Sequence, residues 1–143
     1  MAFRLEKLLS LRKKEEEALK EELNKIRRLI KEVEEEIVKA EKSRNDIENQ
    51  LRTGSQNGAQ LGFLLYLLKM SNDYINYLVS KLNDLKREED QTLHSFLEKR
   101  TERKTFEKLK DRYLEIQRMK IDRRERSAID EVALQKYFQN RSE

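Results

Sequence analysis

Apolar residues recur along the first third of the chain at alternating steps of three and four. The run consists of Leu19, Leu23, Ile26, Ile30, Val33, Ile37, Ala40, Arg44, Ile47 and Leu51, with one polar member. This rhythm, kept over about four heptads, predicts a coiled-coil helix. Upstream, the same seam passes through Arg12 and Glu16 before it reaches Leu5 and Leu9, so we expect weaker packing there.

The rhythm stops at a short segment, residues 53–58, that contains two of the three glycines. Gly54 is placed just after the helix end, where a positive φ is needed. Asn57 can cap the next helix, with Gln60 reaching back to it. The sequence therefore predicts one hairpin over residues 1–143, with helix 1 at about 3–53, a loop at about 54–58 and helix 2 at about 59–138.

A second seam follows the loop, through Leu61, Leu64, Leu68, Ser71, Ile75, Leu78, Leu82, Leu85, Glu89, Thr92 and Phe96. Folding at the loop pairs positions whose numbers sum to about 112, which sets Ile37 against Ile75. Apolar layers then meet along most of the hairpin, although Arg12 falls opposite Lys99 or Arg100. We predict an all-α fold, in which two long helices form an antiparallel coiled-coil hairpin.

The predicted helices differ in length. At ~1.5 Å per residue they extend about 70 Å and about 115 Å, so roughly the last 30 residues of helix 2 overhang. A helix without a packing partner is marginally stable in water. The overhang therefore implies that another surface covers it.

Composition limits the chemistry. The chain is 42% charged and 36% hydrophobic, with no cysteine, one histidine and three glycines. Disulfide frameworks, thiolate metal sites, Ser-His-Asp triads and glycine-rich phosphate loops are excluded. No apolar run reaches the ~18 residues of a membrane span, and the N-terminus lacks the pattern of a secretory signal. We expect a protein that is not an enzyme and that uses no cofactor or metal.

Two surfaces of helix 2 stand out. Beside the seam runs a second apolar stripe, in a region, residues 61–79, whose only charges are Lys69 and Asp73. Its members are Phe63, Leu67, Met70, Tyr74 and Tyr77. Because a two-stranded coil buries one seam, we expect this stripe to contact a partner protein or a second copy of the chain.

The other surface is the basic overhang, residues 99–126, which carries 12 basic and six acidic residues and hence a net charge of +6. The interspersed acidic residues would repel phosphate, which argues against nucleic acid as the partner. A helix with this net positive charge is better suited to docking on an acidic protein surface. A solvated helix surface stays open as a plainer interpretation. Asp130 and Glu131, further on, are about 100° apart around a helix and do not form a paired-carboxylate site.

Several motifs occur in a fixed order around the single loop. The chain begins with Phe3-Arg4-Leu5-Glu6-Lys7-Leu8-Leu9 and Leu11-Arg12. Near the end come Phe106-Glu107-Lys108-Leu109-Lys110-Asp111-Arg112, then Arg124-Glu125 and Asp130-Glu131-Val132-Ala133. Over its whole length the chain resembles the FliJ family, coiled-coil proteins of the flagellar type III export apparatus, which have YscO-like relatives in virulence secretion systems.

This resemblance implies a fold and a set of partners. Members of the family form an antiparallel two-helix coiled coil similar to the γ stalk of rotary ATPases. They bind the flagellar export ATPase, promote its hexameric ring and contact the export gate membrane protein, which couples ATP hydrolysis to export. Some meet export chaperones. They are cytoplasmic, lie at the inner face of the cell membrane at the flagellar base, and are not expected to bind nucleic acid.

The resemblance also implies site residues. The ATPase contact falls on Phe3, Arg4, Leu5, Arg112, Arg118, Arg123, Arg124, Arg126, Asp130 and Glu131. The residues of the export-gate contact are inferred from apolar exposure near the loop more than from a matched motif: Tyr66, Met70, Tyr74 and Tyr77. A self-associating structural coiled coil and a basic nucleic-acid-binding helix stay open as alternatives.

Overall fold

The computed structural model describes residues 2–142, apart from the side chains of Ala2, Phe3 and Ser142. It contains helix α1, Ala2–Arg52, and helix α2, Gly58–Ser142, and the described chain has no strand. The two long helices pack against one another, which confirms the all-α fold class. The contacts divide into two compact units: unit 1 is Met1–Glu15 with Lys99–Glu143, and unit 2 is Glu16–Glu98.

The loop between the helices is built as the sequence predicts. Gly54 has a φ of 67°, a left-handed conformation that ends α1 without steric cost. At the start of α2 the Gln60 backbone N–H donates to Asn57 Oδ1 over 2.9 Å, and the Asn57 N–H donates to Gln60 Oε1 over 3.2 Å. The predicted reciprocal cap is therefore confirmed. Helix α2 extends four residues beyond the predicted end.

Unit 2 buries the predicted seam. Its most buried side chains are Leu23, Ile26, Ile30, Val33, Ile75 and Leu78, each at most 8% exposed. The other predicted seam positions of unit 2 are half-buried, except Leu61, which is 43% exposed. Leu61 belongs to the last layer before the loop, where no further layer covers it.

Contacts across the helices fix the register near the predicted one. Within unit 2, the Tyr74 hydroxyl donates to Glu36 over 3.1 Å, and Arg27 pairs with Glu89 at 3.7 Å. These position numbers sum to 110 and 116, on either side of the predicted 112. Within unit 1, Arg12 with Glu102 sums to 114.

A charged layer replaces apolar packing in unit 1. Arg12 Nη1 donates to Glu15 Oε2 over 2.8 Å, and Lys99 Nζ lies 3.2 Å from the same oxygen. Glu102 Oε2 lies 3.0 Å from Arg12 Nε and 3.7 Å from Lys99 Nζ. Arg12 Nε and Glu102 Oε2 are out of contact with solvent and interact as an ion pair, without the alignment of a hydrogen bond.

This layer contains the cation expected opposite Arg12. Lys99 is in the layer, as the register predicts, but Glu15 and Glu102 lie between the two cations and compensate them. The hydrogen bond from Arg12, followed by that from Lys99, lowers the pKa of Glu15, and the bond to Glu15 raises the pKa of Arg12. A shifted register would leave these charges unpaired, so the layer helps to define the alignment of the helices.

Packing in unit 1 continues past this layer and then ends. Leu9 is buried, the Arg12 guanidinium lies 6.0 Å from the centre of the Phe106 ring, and Lys110 pairs with Glu6 at 3.6 Å. Gln117 is the last half-buried residue of α2. The prediction that the basic overhang begins at Lys99 is therefore wrong, because α2 still contacts α1 from Lys99 as far as Lys110.

Two glycine substitutions are expected to have opposite effects. Gly54→Ala forces a side chain into a left-handed conformation and should lower the free energy of unfolding by about 1–2 kcal/mol. Gly62→Ala, inside α2 with no atom within 4 Å of the added carbon, should raise it by about 0.5–1 kcal/mol. Urea unfolding followed by circular dichroism measures both changes in the free energy of unfolding. Changes of the same sign in the two variants would contradict the assigned helix bounds.

The charged layer predicts a specific acid sensitivity. Because the folded pKa of Glu15 is lowered, its contribution to stability is present above the unfolded value near ~4.3 and is lost as pH falls through the lower folded value. Thermal unfolding from pH 7 to pH 3 should therefore lower the Tm of the wild type more than that of Glu15→Gln. Glu17→Gln, which changes an exposed neighbour, is the control and should behave like the wild type. Parallel pH profiles for all three chains would contradict this role of Glu15.

Candidate partner-binding surfaces

The C-terminal segment, residues 118–141 of α2, is the most open part of unit 1. Every side chain in it is exposed. It carries seven basic and four acidic residues, for a net charge of +3. Helices without tertiary packing are marginal in water, so this segment needs a partner to be stable.

Large apolar side chains are exposed throughout the C-terminal segment. Those that are more than half exposed are Met119, Ile121, Ile129, Val132, Leu134, Tyr137 and Phe138. At about 100° per residue, Val132 and Leu134 point to nearly opposite sides of the helix. The sequence pattern predicts no contact for these side chains, because they do not follow the three-and-four rhythm of one seam.

The predicted ATPase-contact residues form two groups in unit 1. Arg4 and Arg112 are exposed and Leu5 is half-buried, near the Lys110–Glu6 pair; the side chain of Phe3 lies outside the described residues. The second group lies in the C-terminal segment, where all its members are exposed: Arg118, Arg123, Arg124, Arg126, Asp130 and Glu131. At ~1.5 Å per residue, Glu131 is about 30 Å along the helix from Lys110. The structure therefore does not join the two groups into one site.

Within the second group, three residues surround one shallow depression. Arg123, Arg124 and Glu131 line it together with Ser127 and Ala128. Asp130 is not part of this depression, in agreement with the divergent directions expected for adjacent helical residues. Two arginines beside an open depression can bind a carboxylate-bearing protein surface.

The second surface lies in unit 2 and is called here the exposed stripe: Phe63, Tyr66, Met70, Tyr74 and Tyr77. The exposed fractions are 61%, 58%, 49%, 44% and 61% in that order. Leu67, predicted to be in this stripe, is half-buried against the seam instead. Tyr66 takes its place, because a residue one position earlier is turned about 100° away from the helix partner. The four predicted gate-contact residues thus share one exposed surface.

A groove between the helices borders the exposed stripe. Tyr74 and Tyr77 form part of its wall, together with Leu29, Glu32, Val33, Glu36, Leu78, Lys81 and Leu85. The hydrogen bond that the Tyr74 hydroxyl donates to Glu36 raises the pKa of Tyr74. Ionisation would remove the donated proton and place a second negative charge beside the carboxylate. The hydrogen bond to Glu36 links α2 to α1 at this position.

The described residues contain neither a metal-type cluster of His, Cys, Asp and Glu nor a membrane-length apolar helix. No three such side chains come together within residues 2–142. Neither helix has a stretch apolar enough to cross a membrane over the same range. The surfaces that the structure offers are exposed helix faces.

Comparisons with known proteins identify the family. A family model described as Flagellar FliJ protein matches residues 1–142. The searches of curated proteins and of solved structures gave no match. Since the family model covers almost the whole chain, the protein belongs to the flagellar FliJ family and is a structural component of the flagellar export apparatus.

Proposed function

We propose that the protein is a central stalk for the flagellar export ATPase: the C-terminal segment enters the hexameric ring and promotes its assembly. The family supports a place in the export apparatus. The observation that carries the proposal is the exposure of the whole C-terminal segment, with apolar side chains that α1 leaves uncovered.

The distribution of these apolar side chains favours enclosure over docking on one flat surface. A helix that lies on a surface buries one face, whereas a helix with apolar side chains on opposite sides needs cover on both sides. Ile129 and Val132 are on one side of α2, and Leu134 and Phe138 are on the other. A ring would contact both sides at once.

The charge of the segment supports the same partner. Its net charge of +3 suits an acidic ring lumen. Charge complementarity of this kind mainly speeds the encounter and fixes orientation, and adds less to final affinity. Arg123 and Arg124 are the cations closest to the depression beside Glu131.

We also propose that the exposed stripe contacts the cytoplasmic part of the export gate membrane protein. Tyr66, Met70, Tyr74 and Tyr77 are side chains typical of protein interfaces, because they tolerate water when no partner is bound. One chain would then contact the ATPase through unit 1 and the gate through unit 2. This arrangement couples ATP hydrolysis to export and places the protein in the cytoplasm, against the membrane at the flagellar base. Export chaperones are further proposed partners.

The stalk proposal predicts that both sides of the C-terminal segment matter. ATP turnover and hexamer formation by the export ATPase should be stimulated by the full chain and lost when residues 118–143 are removed. Ile129→Ser with Val132→Ser should reduce stimulation about as strongly as Leu134→Ser with Phe138→Ser. The matched control is Val38→Ser with Leu65→Ser, which removes exposed apolar side chains from unit 2.

Each outcome of this comparison is decisive. Loss of ATPase stimulation in only one of the two double variants of the C-terminal segment would contradict enclosure in a ring. Unchanged stimulation in the truncated chain would overturn the assignment of the contact to the C-terminal segment. An equal loss of ATPase stimulation in the control, Val38→Ser with Leu65→Ser, would show that any loss of exposed apolar surface has this effect and would contradict a specific role of the C-terminal segment.

The gate proposal predicts a separable defect. Tyr66→Ser combined with Tyr77→Ser should weaken binding to the purified cytoplasmic domain of the gate protein by at least about tenfold, since large interface aromatics often contribute over about 1.4 kcal/mol. ATPase stimulation should be unchanged. Isothermal titration calorimetry measures the affinity, with Val38→Ser and Leu65→Ser as the control. Wild-type affinity in the stripe variant would rule out this surface as the gate contact.

A further inference from the structure

The exposed stripe has a spacing that is the same in both chain directions. Phe63, Tyr66, Met70, Tyr74 and Tyr77 follow one another at steps of three, four, four and three. In an antiparallel pair of such helices, centred on Met70, Phe63 of one copy faces Tyr77 of the other and Tyr66 faces Tyr74. A two-fold interface needs this kind of self-complementary surface.

We propose that two copies of the chain associate through their exposed stripes, antiparallel and with the two-fold axis at Met70. The proposal does not depend on the assignment of the ATPase or gate contacts. It describes the free protein, in which no other partner covers the stripe.

The groove beside the exposed stripe can bind an aromatic side chain of the second copy. In the proposed alignment, Phe63 of the second copy meets Tyr77 at the edge of the groove that Leu29, Val33 and Leu78 help to line. Phe63 is 61% exposed in one copy, so it is available to enter the groove of the other. The two-fold axis repeats this contact. An aromatic side chain inserted into an apolar groove is the usual centre of an interface.

The charges at the stripe are also self-complementary. Lys69 and Asp73 are the only charged residues between positions 61 and 79, and both are exposed on one flank. In an antiparallel pair, the same flanks of the two helices face one another. Lys69 of one copy then lies within about half a helical turn of Asp73 of the other. A parallel pair would instead set this flank against the opposite, uncharged flank of the partner helix, so neither Lys69 nor Asp73 would have a charged partner there.

The available area predicts a weak and reversible dimer. Aromatic side chains offer roughly 150–250 Å² each, and those of the stripe are about half exposed. The stripes would bury on the order of 500 Å² per copy and 1,000 Å² together, near the lower limit for specific interfaces. We therefore expect a dissociation constant in the micromolar range, which lets a tighter partner displace the second copy.

Sedimentation equilibrium of the full chain tests association. The mass should rise from 17.3 kDa towards twice that value with concentration. Lys69→Asp alone and Asp73→Lys alone should each weaken the dimer, and an equimolar mixture of the two variants should associate more tightly than either. The matched control is Lys42→Asp with Asp46→Lys, an exposed pair of the same spacing on α1, which should leave dimerisation unchanged. A constant mass of 17.3 kDa up to about 1 mM would overturn the proposal.

Cysteine cross-linking tests the alignment, since the chain has no native cysteine. Met70→Cys lies on the proposed axis and should form a disulfide-linked dimer. Tyr66→Cys should not link to itself, because its two copies would be about 12 Å apart along the helices, beyond disulfide reach. A mixture of Tyr66→Cys and Tyr74→Cys should form the mixed disulfide. Self-linking of Tyr66→Cys that is as efficient as that of Met70→Cys would overturn the antiparallel alignment.

Discussion

The length of α1 limits everything else in this protein, because α1 supplies the apolar seam against which α2 packs. Helix α1 has 51 residues and α2 has 85, so α2 is 34 residues longer than its partner. Side chains are buried where the two helices lie together, and exposure becomes complete from Arg118 onwards. The apolar side chains beyond that residue do not belong to the buried core. They form a surface that α1 leaves uncovered.

The two units carry different chemistry. In unit 2 the exposed stripe is nearly free of charge, and Tyr and Met dominate it. In unit 1 the C-terminal segment mixes cations with apolar side chains on more than one side of the helix. Two such surfaces suit two kinds of partner, as the proposed coupling of an ATPase to a membrane gate requires. The charged layer of Arg12, Glu15, Lys99 and Glu102 helps to hold the alignment within unit 1.

Much of the fold could be predicted because the determinants are local. The three-and-four spacing defines the buried seam, the left-handed Gly54 ends α1, and Asn57 with Gln60 starts α2. What could not be predicted depends on residues beside the seam. Glu15 and Glu102 compensate the cations of the charged layer from positions that the heptad rhythm does not mark. The seam also defines which face of α2 is buried, but it does not define how far along α2 the contact with α1 extends. The sequence therefore predicts an exposed segment that starts too early, at Lys99. The apolar residues of that segment follow no single face, and so gave no rhythmic signal.

Amide hydrogen exchange on the full chain, alone and with the export ATPase, tests the central claim most directly. In the free chain the amides of residues 118–141 should exchange fast, since a helix without packing opens readily, while those of the unit 2 seam should be slow. Addition of the ATPase should slow exchange throughout residues 118–141 and leave the unit 2 seam unchanged. Unaltered exchange of residues 118–141 in a complex that demonstrably forms would contradict the claim that the uncovered part of α2 is the ATPase-binding stalk.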